Sequence, residues 1–394
     1  MNYLFNKGRK ISTRLHYIYK MSLLFSNNLY VRLIRVPRRL RIRFGRPHQT
    51  REVPSFITGS HLKYSLADQG IFDFKLLSRA VFFVQEFVNN DLKRIENDLK
   101  FNFDFCMTSL GIKPLHYWPK REILNGNIYQ KTLLEEFEEF LQINCPEIIF
   151  IDANFRAHQK TFSSQSFSKL KEKYGFKIAL VVPDFKPKNI EYWSDISDVI
   201  VMTLPLNVPQ ISNVQVNKIV CIPFLPINLD LTPSSWESRH LDFFFSGTRN
   251  KERDLFVNRI RRLPITANIN FHNRSANLAT SYGDYIKELG NSKSTFSNGF
   301  ISSKLNFISA RFCEAILTGT FCFYEYCPNL ELFFLPNVHF KPVKTAADLY
   351  FGILDLKKNE RAYESLARDA FDFANFHYNY RAMYSRIFEV AFRP

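Results

Sequence analysis

Between residues 147 and 224, short unbroken apolar runs alternate with helical patterns. The runs are 147–152 (EIIFID), 177–183 (KIALVVP), 198–203 and 218–224. A strand that is apolar at almost every position has no wet face. It fits only a parallel sheet covered by helices on both sides. The pattern starts earlier and more loosely. Residues 76–100 show helical apolar spacing, and 103–107 form a short apolar run ending near Gly111. Residues 131–143 are amphipathic, with Glu135, Glu136, Glu138 and Glu139 on the wet side. Residues 167–174 read as a further helix.

The segment 223–239 changes character, with Pro223, Pro226 and Pro233 among polar residues, and reads as an interdomain linker. After it the alternation restarts. Strands are predicted at 241–246, 268–272, 295–297, 321–325 and 337–340. Helices are predicted at 251–262, 282–289, 304–317 and from 346 onward. The expected fold class is therefore α/β, in two parallel-sheet lobes. Ligands of such sheets bind beyond the carboxyl ends of the strands, here in a cleft between the lobes.

Charge sets one end apart. Residues 1–51 hold 13 of the 53 Lys and Arg and no acid, so the other 343 residues carry 40 basic against 37 acidic side chains. The excess of +16 therefore belongs mainly to an arm, and a globular domain with a broad nucleic-acid surface is disfavoured. Apolar Tyr17, Ile18, Met21, Leu23, Leu24 and Phe25 precede a dense run from Arg32 to Arg46. Three readings stay open for the arm: an anionic membrane surface, a basic tail or packed helix, or nucleic acid. Its longest uncharged run, 21–31, is short of the roughly 20 apolar residues that a span requires. The six cysteines form no CxxC pair and have no His at metal spacing. They read as reduced thiols of a cytosolic protein, either free in solution or peripheral on the inner membrane face.

Several chemistries lack their signatures. There is no GxxxxGK[ST], GxGxxG, HExxH or GxSxG, and no DxD to hold a metal diphosphate. No metal site is expected. The informative stretch is 243–325. It opens with FFFSGTRNKERDLF, in which a strand ends at Ser246 and Gly247 allows a turn. Thr248, Arg249, Lys251 and Arg253 follow, the last two in the first turn of a helix: a plausible phosphate cradle. The second part is RFCEAILTG, then FCFYE. Arg311 and Glu314 share a helix face, Gly319 can close the helix in a left-handed cap, and Glu325 ends a buried strand. A carboxylate suits a sugar diol, and a guanidinium suits phosphate oxygens.

These pieces resemble the C-terminal half of family-1-type glycosyltransferases of the GT-B fold, and most closely the CgeB-like branch. That branch shows FxGxxxxxR, a Tyr-containing helix, RxFEAxxxG and a strand ending in an acid. Here these are Phe245, Gly247 and Arg253; Tyr282 and Tyr285; RFCEAILTG; and Glu325. The resemblance covers about 145–390. It departs from the commoner retaining branch, whose two glutamates stand eight apart, since position 322 is Cys. It also lacks a glycine-rich loop after the first strand, for which Gly111 is the nearest substitute.

The resemblance implies two Rossmann-like parallel-sheet lobes facing a central cleft. Residues 1–51 would be the basic arm, 52–225 the acceptor lobe, and 226–394 the nucleotide-sugar lobe with C-terminal helices. It implies transfer of a sugar from a nucleotide-diphosphate sugar, as co-substrate and with no other cofactor, to a glycan, lipid-linked or protein acceptor. Gly247, Thr248, Arg249, Lys251, Arg253 and Arg311 would meet the diphosphate. Glu325 would hold ribose, and Glu314 the donor sugar or Arg311. A base for the acceptor would come from His61, His116, Asp152, His158 or Asp184. The alternatives are a non-catalytic sugar-binding protein of the same fold, or a nucleic-acid-binding protein using the arm.

Overall fold

The alternation resolves into two all-parallel sheets in a computed structural model. It describes residues 72–83, 98–117, 130–153, 163–182, 186–203, 214–223, 233–249, 251–272, 282–298, 300–302, 305–306, 308–325 and 330–393. The first sheet contains β1 (Arg79–Phe83), β2 (Lys113–Tyr117), β3 (Ile148–Asp152), β4 (Lys177–Val182), β5 (Val199–Met202) and β6 (Ile219–Cys221). Its order is β2-β1-β3-β4-β5-β6. The order reverses at β1, so the crevice for a ligand opens beyond the carboxyl ends of β1 and β3.

Alternate residues of these strands face opposite layers. Val81, Ile149, Ile151, Ile178, Leu180 and Ile200 pack with Phe137, Phe167 and Trp193. Those three come from α2 (Gln130–Asn144), α3 (Ser164–Tyr174) and α4 (Pro187–Ser194). Helix α3 is capped by Ser163, whose hydroxyl accepts from the Ser166 N–H, and it ends at left-handed Gly175. The other set, Ala80, Phe82, Ile148, Phe150, Val181 and Val201, belongs to a core that includes Phe103 and Tyr384. Full burial of each Val, Ile or Phe contributes roughly 1.5–3 kcal/mol. Phe103 lies on α1 (Asp98–Ser109).

The second sheet contains β7 (Phe243–Thr248), β8 (Ala267–His272), β9 (Ser294–Asn298), β12 (Phe321–Glu325) and β13 (Lys341–Val343), in the order β13-β12-β9-β7-β8. Its order reverses between β7 and β9. Strand β9 reads STFSN yet is wholly buried. Its hydroxyls bond backbone carbonyls: Ser294 to Asp242 and Thr295 to Phe244, both at 2.7 Å. Around the sheet stand α5 (Lys251–Val257), α6 (Tyr282–Gly290), α7 (Ala310–Leu317), α8 (Ala346–Lys358) and α9 (Glu360–His377). The last helix, α10 (Tyr380–Ala391), packs against β4, β5 and β6 of the first sheet.

Several local expectations are corrected. Residues 76–100 are not one helix: they contain β1, and among the described residues α1 is Asp98–Ser109. The run 103–107 lies inside α1. Among the described residues of 304–317 the helix runs from Ala310, and a small hairpin, β10 (Phe300–Ser302) with β11 (Leu305–Asn306), precedes it. The helix expected over 251–262 ends at Val257, with a separate 3-10 turn at Ile260–Arg262. Residues 337–339 form a turn, Phe340 makes an isolated bridge with Pro336, and the strand is Lys341–Val343. Gly111 lies in the left-handed region just before β2, at the amino end of that strand, so it is not a loop after the first strand. The expected lobe boundary and the arm fall outside the described residues. No described helix is long and apolar enough to cross a membrane.

One buried group gives the fold a pH dependence. His339 accepts the Leu335 N–H at Nδ1 (3.1 Å), and Phe373 stacks between it and His377 at 4.0 and 4.3 Å. Burial, and then the charge of His377, push His339 down to about 4. Below its ordinary value of about 6.5 the unfolded chain takes up a proton that the folded chain refuses. The contribution of His339 to stability therefore falls as pH drops from about 6.5 to about 4, by up to about 3 kcal/mol, and is level below that. Urea unfolding across this window should show a steeper slope in the native chain than in His339→Asn, whose amide oxygen can still accept from Leu335. Equal slopes would refute it.

Candidate active site

The carboxyl ends of β7, β9 and β12 bring together Ser246 and Gly247, Asn298, and Glu325. Glu325 stands opposite Asn298 in register. This is the crevice at the reversal of strand order. The N-terminus of α7 adjoins it, because Ser309 and Ser297 share a hydroxyl hydrogen bond.

Two arginines converge on Gly247. A β-carbon placed there would stand 2.7 Å from Arg311 Nη2 and 3.4 Å from Arg253 Nη1. The glycine is thus needed for room beside two guanidinium groups. The expectation of a turn is corrected, since β7 continues through Gly247 to Thr248. Arg311 donates to the Ser246 carbonyl and lies over the Phe245 ring, 4.9 Å from its centre. Its Nε is buried and has no hydrogen-bond partner among the described residues. Arg253 Nε donates to Asn298 Oδ1 at 3.0 Å. Burial first, and then the charge of Arg311, push the Arg253 guanidinium down to about 10. It still carries its proton at neutral pH, and two like charges share a partly dehydrated place.

Glu314 is 4% exposed. Tyr282 donates its hydroxyl to Oε1 at 3.1 Å, and Tyr285 donates to Oε2 at 2.8 Å. Burial, then the Glu314 charge, hold the Tyr285 phenol well above its ordinary range. Asn102 of α1 donates to the Tyr282 oxygen at 3.1 Å. Glu325, 8% exposed, ends β12 on the side of β9 away from β7.

The remaining expected residues separate. Arg249 is exposed, and its Nε pairs with Asp254 at 3.2 Å. Thr248 ends β7 and Lys251 begins α5. Helix α5 has only seven residues, so the cradle rests on side-chain cations rather than on its dipole. Asp152 is half-buried at the carboxyl end of β3, beside the first sheet's reversal point. His116 on β2 is paired with Asp104 of α1. His61, His158 and Asp184 lie outside the described residues. Among the described residues, no three His, Cys, Asp or Glu side chains come together to hold a metal.

A cleft of about 240 Å³ lies at the opposite, amino ends of the strands, lined in part by Trp236, Arg239 and Phe371. Arg239 spends its donors there on the carbonyls of Ser234, Ser292, Thr318 and Gly319. Its role is to tie loops together. Sequence reasoning missed Asn298, Asn102 and the Ser246 carbonyl. Only Asn298 carried a signal, as the polar residue ending a buried strand.

Two Rossmann-like parallel-sheet lobes, with a polar crevice at the carboxyl ends of the second, define the GT-B fold of glycosyltransferases. Solved structures share it, among them these three. HepE from Anabaena, in complex with UDP-glucose, gives a TM-score of 0.52 at 9% identity over 79% of this chain and 98% of its own. A glycosyltransferase from Rickettsia africae gives 0.52 at 12% identity, over 80% and 98%. Sucrose-phosphate synthase from Thermosynechococcus elongatus gives 0.53 at 10%, over 79% and 98%. At such identities the likeness is one of fold. No protein-family model matches the chain, and no curated protein matches it in sequence.

Proposed function

We propose that this chain is a glycosyltransferase that takes a sugar from a nucleotide-diphosphate sugar without a metal ion. The observation that carries the reading is the pair Arg253 and Arg311 against Gly247, with a buried Arg311 Nε–H left over. A buried, unsatisfied donor beside a second cation costs stability unless an anion meets it. A diphosphate satisfies both guanidinium groups. The neighbour crystallised with UDP-glucose supports a nucleotide sugar as that anion. The sequence RFCEAILTG favours the CgeB-like branch.

In the reaction the bond from the anomeric carbon to the diphosphate oxygen breaks, and its electron pair leaves with the diphosphate. Arg253 and Arg311 stabilise that growing charge without reorganising. Glu325 holds the ribose diol. The acceptor oxygen bonds the anomeric carbon and gives its proton to a carboxylate of the first lobe, for which the half-buried Asp152 at the end of β3 is our candidate. Glu314 does not contact the sugar in this reading, since both its oxygens hold tyrosines.

A panel of nucleotide-diphosphate sugars, screened by thermal unfolding, tests the reading. One donor at a hundred times its Kd should add about 2.7 kcal/mol to the intact protein and much less to Glu325→Ala. If no donor shifts the melt, the reading is lost.

A further inference from the structure

Strand β9 and helix α5 meet through two side-chain contacts. Alternation along β9 puts Phe296 and Asn298 on one face, and a spacing of three puts Arg253 and Phe256 on one face of α5. The Phe256 and Phe296 rings stack with their centres 4.8 Å apart. One turn earlier on the helix, Arg253 Nε donates to Asn298 Oδ1 at 3.0 Å. The apolar pair seats the helix on the strand. The polar pair turns the guanidinium so that its Nη1 comes against Gly247. Asn298 is itself buried, and its backbone is paired in register with Glu325 of β12, so the amide is a firm support. Both guanidinium groups of the crevice are thus held by uncharged oxygens, Arg253 by this amide and Arg311 by the Ser246 carbonyl. A carboxylate at position 298 would grip Arg253 harder. It would also cancel the charge it holds, and it would stand beside the Glu325 carboxylate.

We propose that Asn298 is a positioning residue that fixes Arg253 without neutralising it. The amide oxygen sets the direction of the guanidinium. The positive charge stays available to an anion that enters beside Arg311. A neutral tether is the weaker bond for the free protein and the better one for a site that must spend its cation on a ligand. The part of the inference that concerns anion binding rests on the proposed diphosphate site. The tether itself does not.

Two variants separate holding from charge. Asn298→Asp keeps the shape and the acceptor but sets a carboxylate against Arg253. Asn298→Ala leaves the cation and removes its tether. In the ligand-free protein, the Arg253 Nε–H resonance, assigned with Arg253→Lys, should persist in Asn298→Asp and be lost to exchange with water in Asn298→Ala. Titration with inorganic pyrophosphate should show roughly five- to tenfold weaker binding for Asn298→Ala, and a larger loss of about 30-fold for Asn298→Asp. A residue that only packs would lose more with Ala than with Asp. In an Arg253→Ala background, Asn298→Ala should weaken binding no further, since the group it orients is gone. A resonance that persists in Asn298→Ala, or losses that add in the double variant, would overturn the proposal. Should the new carboxylate beside Glu325 prevent folding, the alanine variant and the double variant decide alone. A native chain that binds no pyrophosphate removes the diphosphate reading, and the resonance in Asn298→Ala then upholds or overturns the tether by itself.

Discussion

Substituting Ala for Gly247 should weaken pyrophosphate binding roughly 30- to 150-fold, about 2–3 kcal/mol, and leave the fold intact. The new methyl would stand 2.7 Å from Arg311 Nη2, which is too close. What it meets is the end of a flexible side chain. The guanidinium can swing away, giving up the Ser246 carbonyl and its alignment with Arg253. Gly247 does not occupy the left-handed region, so Ala adopts its backbone without strain. Unfolding free energy should therefore change by less than about 1 kcal/mol. Gly352 is the contrast. There a β-carbon would meet the buried Phe323 ring at 2.6 Å, and a packed ring has nowhere to go. Calorimetric titration together with urea unfolding of Gly247→Ala separates the two quantities. Undiminished pyrophosphate binding would mean that the arginine pair does not receive the anion.

The second large effect is expected at Glu314. Glu314→Leu removes the acceptor of two phenols at once, in a place that water does not reach. Each stranded donor costs about 1–3 kcal/mol, so a loss of about 3–5 kcal/mol is expected. Tyr282 and Tyr285 would both lose that partner. Glu314→Gln keeps the volume and one good acceptor, so it should lose about half as much. Urea unfolding of the two variants decides the matter. A loss below about 1 kcal/mol for Leu would show that the carboxylate is dispensable to the fold.

The parts that were legible in the sequence are those whose pattern has one cause. Strands β3, β4 and β5 are buried on both faces, so an unbroken apolar run announces them. Strand β2 (KPLHY) lies at the sheet edge and is mostly half-buried, so its Lys, Pro and His are tolerated and no run results. Strand β1 is hidden because its apolar residues run on into 84–87 (VQEF) and mimic helical spacing. In the site, Gly247, Arg253, Arg311, Glu314 and Glu325 were visible because their spacing follows from a strand, a turn and a helix. Their partners were not. Asn102 meets Tyr282 across 180 positions, and nothing local in either segment predicts that. The Ser246 carbonyl has no side chain to read. The role of Gly247 is illegible for a similar reason: the room it provides is for an arginine 64 positions later.

The course of α10 has a consequence for biosynthesis. This helix belongs to the last part of the chain, yet it lies against β4, β5 and β6, and its Tyr384 and Phe388 rings meet Phe150. A ribosome that has just finished β6 still has about 160 residues to add before α10 begins, which takes roughly ten to thirty seconds. Throughout that interval Val181, Val201 and Phe150 of the nascent chain have no α10 to cover them. The lobe made first is therefore completed last, and the emerging chain presents a sticky sheet face for which a holding chaperone is the natural guardian.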